Sequence, residues 1–167
     1  MTNKFLISIE GSIASGKSTL INNLMGTPMP NVSFIHEPVC EVMNNRDDNG
    51  KTILELFYEN PREYAPMIQT VFLMNRATLL HRCMTEDNAE NTIYMTERSL
   101  ISDSEIFVDN LYKQGVFTTL SKSIYDNWFN GIKSIFENTQ KNNSFVVPDL
   151  FVFVKCPPEE CFKRITS

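Results

Sequence analysis

The sequence predicts an α/β fold in which helices cover both faces of a parallel sheet. Short segments rich in β-branched and aromatic residues alternate with longer segments whose apolar residues recur at helical spacing, and this alternation is typical of parallel sheets. With 167 residues and 42% hydrophobic content, the chain is long enough to bury a core of its own. We therefore expect a single domain over residues 1–167.

The elements are expected in the following order. Strands are predicted at 4–9, 32–36, 91–96 and 149–155. Helices are predicted at about 18–25, 51–59, 62–83, 102–114 and 119–139, and in the last segment, PPEECFKRIT. Gly26 and Gly115 follow two of these helices and are suited to end them.

A phosphate-binding motif lies between the first strand and the first helix. The segment EGSIASGKST fits the pattern G-x-x-x-x-G-K-[ST]. Its glycines let backbone amides point inward, its lysine adds a positive charge, and its serine hydroxyl suits Mg²⁺. The dipole of the following helix favours the same anion. The motif predicts a P-loop NTPase-like sheet that binds ATP and Mg²⁺ through Gly11, Ser12, Ile13, Ala14, Ser15, Gly16, Lys17, Ser18 and Thr19.

Charged residues follow the second and third predicted strands. Glu37 lies in HEPV, and Glu97 and Arg98 lie in TERS. Ligands of open α/β sheets bind beyond the carboxyl ends of the strands, and phosphoryl transfer to a hydroxyl needs a carboxylate base and positive charge. We therefore predict that Glu37 is the base, that Glu97 and Ser18 face the metal, and that Arg98 clamps the phosphoryl group. A solvated turn at Glu37 and a surface salt bridge between Glu97 and Arg98 are the structural alternatives.

Composition limits the partners of the protein. The net charge of −5 argues against binding to polymeric nucleic acid through a broad basic surface. No segment resembles a signal peptide or the stretch of roughly 20 apolar residues that spans a membrane. The four cysteines lack the spacing of a zinc site. We expect an intracellular protein, most readily a cytoplasmic one, with no membrane partner.

Four segments together resemble a known family. EGSIASGKST, HEPV, LFYENPREYAPMIQT and TERSLISDSEIFVDNLYKQG are similar, in order and spacing, to cellular and viral deoxynucleoside kinases of the deoxycytidine and deoxyguanosine kinase type. The resemblance covers nearly the whole chain. It implies ATP-dependent phosphorylation of a deoxyribonucleoside at its 5′-hydroxyl, with Glu37 as the base and Arg98 beside the 5′-oxygen. The resemblance is also compatible with a homodimer.

The resemblance also implies roles for residues whose helical spacing alone would place them in a core or on a surface. Tyr58 matches a tyrosine that binds the sugar 3′-hydroxyl, Gln69 a glutamine that reads the base edge, and Phe107 an aromatic that stacks on the base. Arg76 and Asp103 match a pair found in the deoxycytidine and deoxyguanosine kinase branch. The pair favours deoxycytidine or a purine deoxynucleoside as substrate.

The chain departs from the family pattern at a few positions and at its end. Val42, Ser104 and Glu105 stand where the family has tryptophan, arginine and tyrosine. In the family, the helix that contains the match to Arg164 leads into an arginine-rich lid, a sugar-binding glutamate and a last strand, and we expect this chain to lack them. Without a last strand the sheet would expose pairing groups and apolar surface, so we expect residues 1–167 alone to be poorly soluble or marginally stable. Since an arginine over the phosphates contributes about 10³-fold or more to the rate, we also expect them to be at least about a thousandfold less active than an extended chain.

Two other functions remain open on the sequence. One is a nucleoside monophosphate kinase such as a thymidylate kinase, which shares the phosphate-binding motif. The other is a nucleotide-binding remnant without catalytic activity.

Overall fold

The structure of the protein is a computed structural model that describes residues 4–86, 92–139 and 146–166. The chain forms two compact units, which are described separately. The first, which we call the sheet unit, comprises Met1–Glu37, Asp87–Ser99 and Val147–Ser167. The second, the helical unit, comprises Pro38–Glu86 and Leu100–Val146.

Strands and helices occur in the predicted order. In chain order the elements are β1 (Phe5–Glu10), α1 (Lys17–Met25), β2 (Val32–Ile35), α2 (Val39–Met43), α3 (Ile53–Glu59), α4 (Pro61–Glu86), β3 (Ile93–Glu97), α5 (Leu100–Ser102), a π-helical segment (Asp103–Val108), α6 (Asp109–Lys113), α7 (Thr119–Thr139), β4 (Leu150–Phe153) and α8 (Pro158–Thr166). The α/β fold class predicted from the sequence is confirmed. Within the described ranges, no helix combines the length and the apolar character needed to cross a membrane.

All four strands lie in one parallel sheet of the sheet unit. Their order is β2-β3-β1-β4, and β1 pairs with both β3 and β4. Ile9 of β1 lies opposite Glu97 of β3, and Ile35 of β2 lies opposite Thr96 of the same strand. The carboxyl ends of β1, β2 and β3 therefore meet at one edge of the sheet, where the phosphate-binding motif begins.

The sheet unit has a core on β1, β2 and β3 and an exposed edge strand. Leu6, Ile9, Ile21 and Tyr94 are almost fully buried. The side chains of β4, by contrast, are exposed to between 38% and 68%. Apolar burial therefore stabilises the two interior strands, β1 and β3, much more than the edge strand β4.

In the helical unit, α3 begins with a capping box. The Thr52 hydroxyl accepts a hydrogen bond from the backbone N–H of Glu55, and the Glu55 carboxylate accepts one from the backbone N–H of Thr52. Because both groups would otherwise be unsatisfied at a helix start, the box fixes the first turn. The helix predicted at 51–59 therefore begins at Ile53.

The apolar faces predicted from helical spacing form the core of the helical unit. Val42, Ile53 and Ile68 form a buried cluster against which partly buried residues pack. Val42, the position where the family has tryptophan, is thus a core residue that is 1% exposed. It belongs to the short helix α2, which the sequence did not predict.

The helix predicted at 102–114 differs from the expectation in its geometry. It starts at Leu100, passes through six π-helical residues and ends at Lys113. A π-helical turn shifts the phase of the side chains relative to an α-helix, and Asp103 and Ser104 are buried there. The 3.6-residue spacing of apolar residues in the sequence does not reveal a π-helical turn, because the turn is a local change in backbone hydrogen bonding.

Candidate active site

The phosphate-binding loop has a backbone that two glycines make possible. Gly11 has φ +152°, and a Cβ on it would lie 2.7 Å from Ser15 Oγ and 2.8 Å from the carbonyl oxygen of Val154. Gly16, with φ +98°, is the N-cap of α1. A side chain at Gly11 would collide with Ser15 and with the backbone of Val154, so the close approach of the loop to Val154 requires glycine at this position. This geometry fits the predicted binding of phosphate groups.

Lys17 is held inside the loop. Its side chain is buried, and Nζ donates a hydrogen bond of 2.8 Å to the carbonyl oxygen of Ser12. Burial, and then the nearby guanidinium of Arg98, lower the pKa of Lys17, while Glu97 and Glu37 act in the opposite direction. An anion in the loop would supply the negative charge that this buried ammonium group needs.

The two residues predicted to face a metal ion are in contact. Ser18 Oγ donates a hydrogen bond of 2.9 Å to Glu97 Oε1. Ser18 is the second residue of α1, and Glu97 ends β3, where its side chain is buried. Hydroxyl and carboxylate oxygens are the ligands that Mg²⁺ prefers, so this pair of side chains fits the ion.

Arg98 lies directly after β3 between two carboxylates. Its Nε is 3.4 Å from Glu37 Oε1, and its Nη1 is 4.0 Å from Glu10 Oε2. Its backbone is left-handed, with φ +64°, and is fixed by hydrogen bonds to the carbonyl oxygen of Ile9 and from the hydroxyl of Thr96. A non-glycine residue in this conformation is held there by its surroundings.

The structure decides between the alternatives for these charged residues. Glu97 and Arg98 are 4% and 6% exposed, so a surface salt bridge between them is wrong. The side chain of Glu37 is 22% exposed and paired with Arg98, which differs from a solvated turn residue. Glu37 and Arg98 are therefore neighbours at the carboxyl edge of the sheet.

Glu10 belongs to the same group of charges, although the sequence did not single it out. Its Oε1 accepts hydrogen bonds of 2.6 Å from Ser8 Oγ and 3.0 Å from Ser99 Oγ. Among the residues that the structure describes, none donates a hydrogen bond to its Oε2. A carboxylate at the last position of a buried strand, directly before Gly11, was the available signal.

Arg164 also contacts the phosphate-binding loop. Its Nη1 donates a hydrogen bond of 3.0 Å to the carbonyl oxygen of Ala14. From the sequence, Arg164 could be assigned only to the last helix, because 150 positions separate it from Ala14. The contact brings the guanidinium of Arg164 to the phosphate-binding loop.

The residues that resemble a nucleoside site all lie in the helical unit. Arg76 Nε donates a hydrogen bond of 2.7 Å to Asp103 Oδ2, and the two side chains are 1% and 4% exposed, so the predicted pairing is confirmed. Gln69 lies two turns before Arg76 on α4 and is buried, and Phe107 is half-buried. Tyr58 is 71% exposed. Their roles toward a nucleoside stay predictions.

Tyr125 adds a buried polar group to the same unit. It is 1% exposed, and its hydroxyl has no hydrogen-bond partner within the described part of the chain. Burial, and then the carboxylate of Asp103, raise the pKa of this phenol well above its ordinary value. Tyr125 therefore lies close to the Arg76–Asp103 pair without a hydrogen bond to it.

Comparison with known proteins connects this geometry to one family. The deoxynucleoside kinase family matches residues 7–167. Human deoxycytidine kinase is 31% identical over an alignment that covers 95% of this chain and 64% of that protein. Mitochondrial deoxyguanosine kinase of Xenopus laevis is 26% identical, with coverage of 95% and 62%, and human mitochondrial thymidine kinase 2 is 30% identical, with coverage of 97% and 54%.

The chain spans less than two thirds of the length of these three relatives. The family match nevertheless runs from residue 7, within β1, through the phosphate-binding loop, the Arg76–Asp103 pair and the strands β2, β3 and β4. Because the match covers nearly the whole sequence, the chain belongs to the deoxynucleoside kinase family.

Proposed function

We propose that this protein transfers the γ-phosphoryl group of ATP to the 5′-hydroxyl of a deoxyribonucleoside. The observation that carries the proposal is the ion pair between Glu37 and Arg98, whose Oε1 and Nε atoms are 3.4 Å apart. It places a carboxylate that can accept a proton beside a guanidinium that can stabilise negative charge, in the unit that also contains the phosphate-binding loop. The names of the three relatives support the same reaction class.

Each charged residue of the sheet unit has a step in this reaction. Glu37 accepts the proton of the 5′-hydroxyl while the oxygen forms its bond to the γ-phosphorus. The bond from that phosphorus to the bridging oxygen breaks, and ADP leaves with the electron pair. Lys17 and Arg98 stabilise the charge on the transferring group. Ser18 and Glu97 would hold Mg²⁺, which neutralises phosphate charge when it is bound.

Recognition of the nucleoside is assigned to the helical unit. Gln69 offers both a donor and an acceptor to a base edge, and stacking of a base on Phe107 contributes about 1–3 kcal/mol in comparable sites. We assign the sugar 3′-hydroxyl to Tyr58. We assign to the polar pair of Arg76 and Asp103 a preference for deoxycytidine or a purine deoxynucleoside over thymidine, because a site built from hydrogen-bonding groups discriminates against a base edge that does not satisfy them. We propose that the protein acts inside the cell, most readily in the cytoplasm, where its phosphoryl donor ATP is available.

The test of the proposal is a phosphotransfer assay on the purified protein. ATP·Mg²⁺ is combined with deoxycytidine, deoxyguanosine, deoxyadenosine and thymidine, and separately with their 5′-monophosphates. We expect monophosphate products from the nucleosides only. Phosphorylation of the monophosphates would show a nucleoside monophosphate kinase, and ATP binding without transfer to any acceptor would show a nucleotide-binding remnant.

The role of Glu37 is tested by one substitution and a matched control. Glu37→Gln removes the proton acceptor and should lower kcat by about 10²-fold or more, while ATP binding persists. Glu41→Gln makes the same change at an exposed position of α2 and should leave kcat within about twofold, as is usual for a surface substitution. A Glu37→Gln variant with nearly normal kcat would show that another group takes the proton.

A further inference from the structure

We infer that Glu10 is a positioning residue that holds the Arg98 guanidinium in place when Glu37 turns to the substrate hydroxyl. The catalytic part of this inference rests on the function proposed above. The structural part, an electrostatic restraint of Glu10 on Arg98, stands on the geometry of the sheet unit alone.

The carboxylate of Glu10 is buried and oriented. Glu10 is the last residue of β1 and is 7% exposed. Two serine hydroxyls, from Ser8 and Ser99, donate to its Oε1, at 2.6 and 3.0 Å. Since both donors reach the same oxygen, they fix the plane of the carboxylate and leave Oε2 for another group.

The other oxygen, Oε2, is the one that approaches Arg98. Within the described residues it accepts no hydrogen bond, and it lies 4.0 Å from Arg98 Nη1. A buried carboxylate oxygen is costly unless a charge or a donor compensates it, and Arg98 is the ion-pair partner that the structure provides. The contact is loose enough for the guanidinium to move toward a phosphate without losing Glu10.

The proposed reaction needs this second carboxylate. Arg98 Nε lies 3.4 Å from Glu37 Oε1, so the same carboxylate that accepts the proton also binds the arginine. When Glu37 turns to the 5′-hydroxyl, that contact weakens. Glu10 does not face such a competing task, because its Oε1 is occupied by the serines. Glu10 therefore holds the Arg98 side chain in position while Arg98 stabilises the charge on the transferring phosphoryl group.

The first test measures the motion of Arg98 and requires no catalysis. Nuclear magnetic resonance gives the rate at which the two Nη nitrogens of an arginine exchange by rotation about the Nε–Cζ bond, and the Arg98 signals are assigned by their loss in Arg98→Lys. Glu10→Gln keeps an acceptor for the serines but removes the charge. We expect rotation of the Arg98 guanidinium to become at least about tenfold faster, because the attraction between opposite charges about 4 Å apart near a protein surface is large enough for that factor.

Asp149→Asn is the matched control for the loss of a carboxylate at β1. Asp149 Oδ2 accepts a hydrogen bond of 2.8 Å from the backbone N–H of Leu6, so the same chemical change is made at the other end of the strand. The control should leave the Arg98 rotation within about twofold, since the charge removed lies far along β1 from the guanidinium. Should Glu10→Gln fail to fold, Ser8→Ala replaces it, because loss of one serine donor loosens Glu10 and should speed rotation by a smaller factor.

The second test is kinetic. Glu10→Gln should lower kcat by about 10- to 100-fold and change KM for the deoxynucleoside by less than about threefold, because the restraint acts mainly in the transition state. In an Arg98→Lys background, the same substitution should lower kcat by less than about twofold, since its effect passes through Arg98.

The outcomes separate this inference from the proposed function. If the unsubstituted protein transfers no phosphoryl group, the proposed function fails, and the rotation measurement still decides whether Glu10 restrains Arg98. Unchanged rotation in Glu10→Gln, or in Ser8→Ala if that variant has to be used, overturns the inference. An equal loss of kcat with and without Arg98, or a change in KM alone, shows that Glu10 acts by another route.

Discussion

Removal of Arg76 should strongly destabilise the protein, because the buried carboxylate of Asp103 would then lose the guanidinium that balances its charge. The two side chains are 1% and 4% exposed and form hydrogen bonds of 2.7 and 3.2 Å. Loss of one partner of a buried pair costs about 3–5 kcal/mol, since the remaining charge keeps its desolvation penalty. We therefore expect Arg76→Met to lower the free energy of unfolding by about 3–5 kcal/mol. For a chain of this length, that corresponds to a fall in Tm of roughly 6–20 °C.

A double substitution separates the lost charge balance from lost packing. When both partners become apolar, as in Arg76→Met with Asp103→Leu, no unpaired charge remains, and buried pairs replaced in this way often lose about 1 kcal/mol or less. Urea unfolding followed by circular dichroism measures all variants. The control is Lys122→Met, which removes one partner of a more exposed pair with a 2.8 Å contact on α7. It should cost less than about 1 kcal/mol.

Two results would refute this reasoning. One is a cost below about 1 kcal/mol for Arg76→Met, which would mean that water or another group compensates Asp103. The other is a double variant whose cost equals the sum of the single costs. Additive costs would show that the two residues stabilise the fold independently.

Two further predictions concern buried polar groups. Tyr125→Phe removes a hydroxyl that lacks a partner among the described residues, so urea unfolding should show stability unchanged or increased by up to about 1 kcal/mol, and a loss greater than that would show a hidden partner. Lys17 has a pKa below its ordinary value of 10.5, so between the lowered value and 10.5 the unfolded chain binds more protons than the folded one. Stability should therefore rise with pH across that window relative to Lys17→Met, and parallel pH profiles of the two proteins would contradict the lowered pKa.

The fold class and much of the candidate site follow from local patterns. Alternating strand and helix periodicity predicted the parallel sheet, and the spacing of Gly11, Gly16 and Lys17 predicted the loop after β1. The positions of Glu37 and Arg98 at strand ends predicted that they meet, because the carboxyl ends of parallel strands share one edge. Each of these features depends on a few neighbouring residues or on a rule of sheet topology.

Other features depend on distances that no local pattern encodes. The π-helical segment that buries Asp103 arises from a change in backbone hydrogen bonding, and the unpartnered hydroxyl of Tyr125 arises from packing. Glu10 has the donor Ser8 on its own strand, but it acquires the second donor, Ser99, and its arginine only when β1 and β3 pair, since Ser99 is 89 positions away along the chain. Residue type and spacing in the sequence establish which chemical groups are available. The packing of distant segments decides which of the charged groups share a buried environment. Electrostatic interactions are strong there because water is excluded.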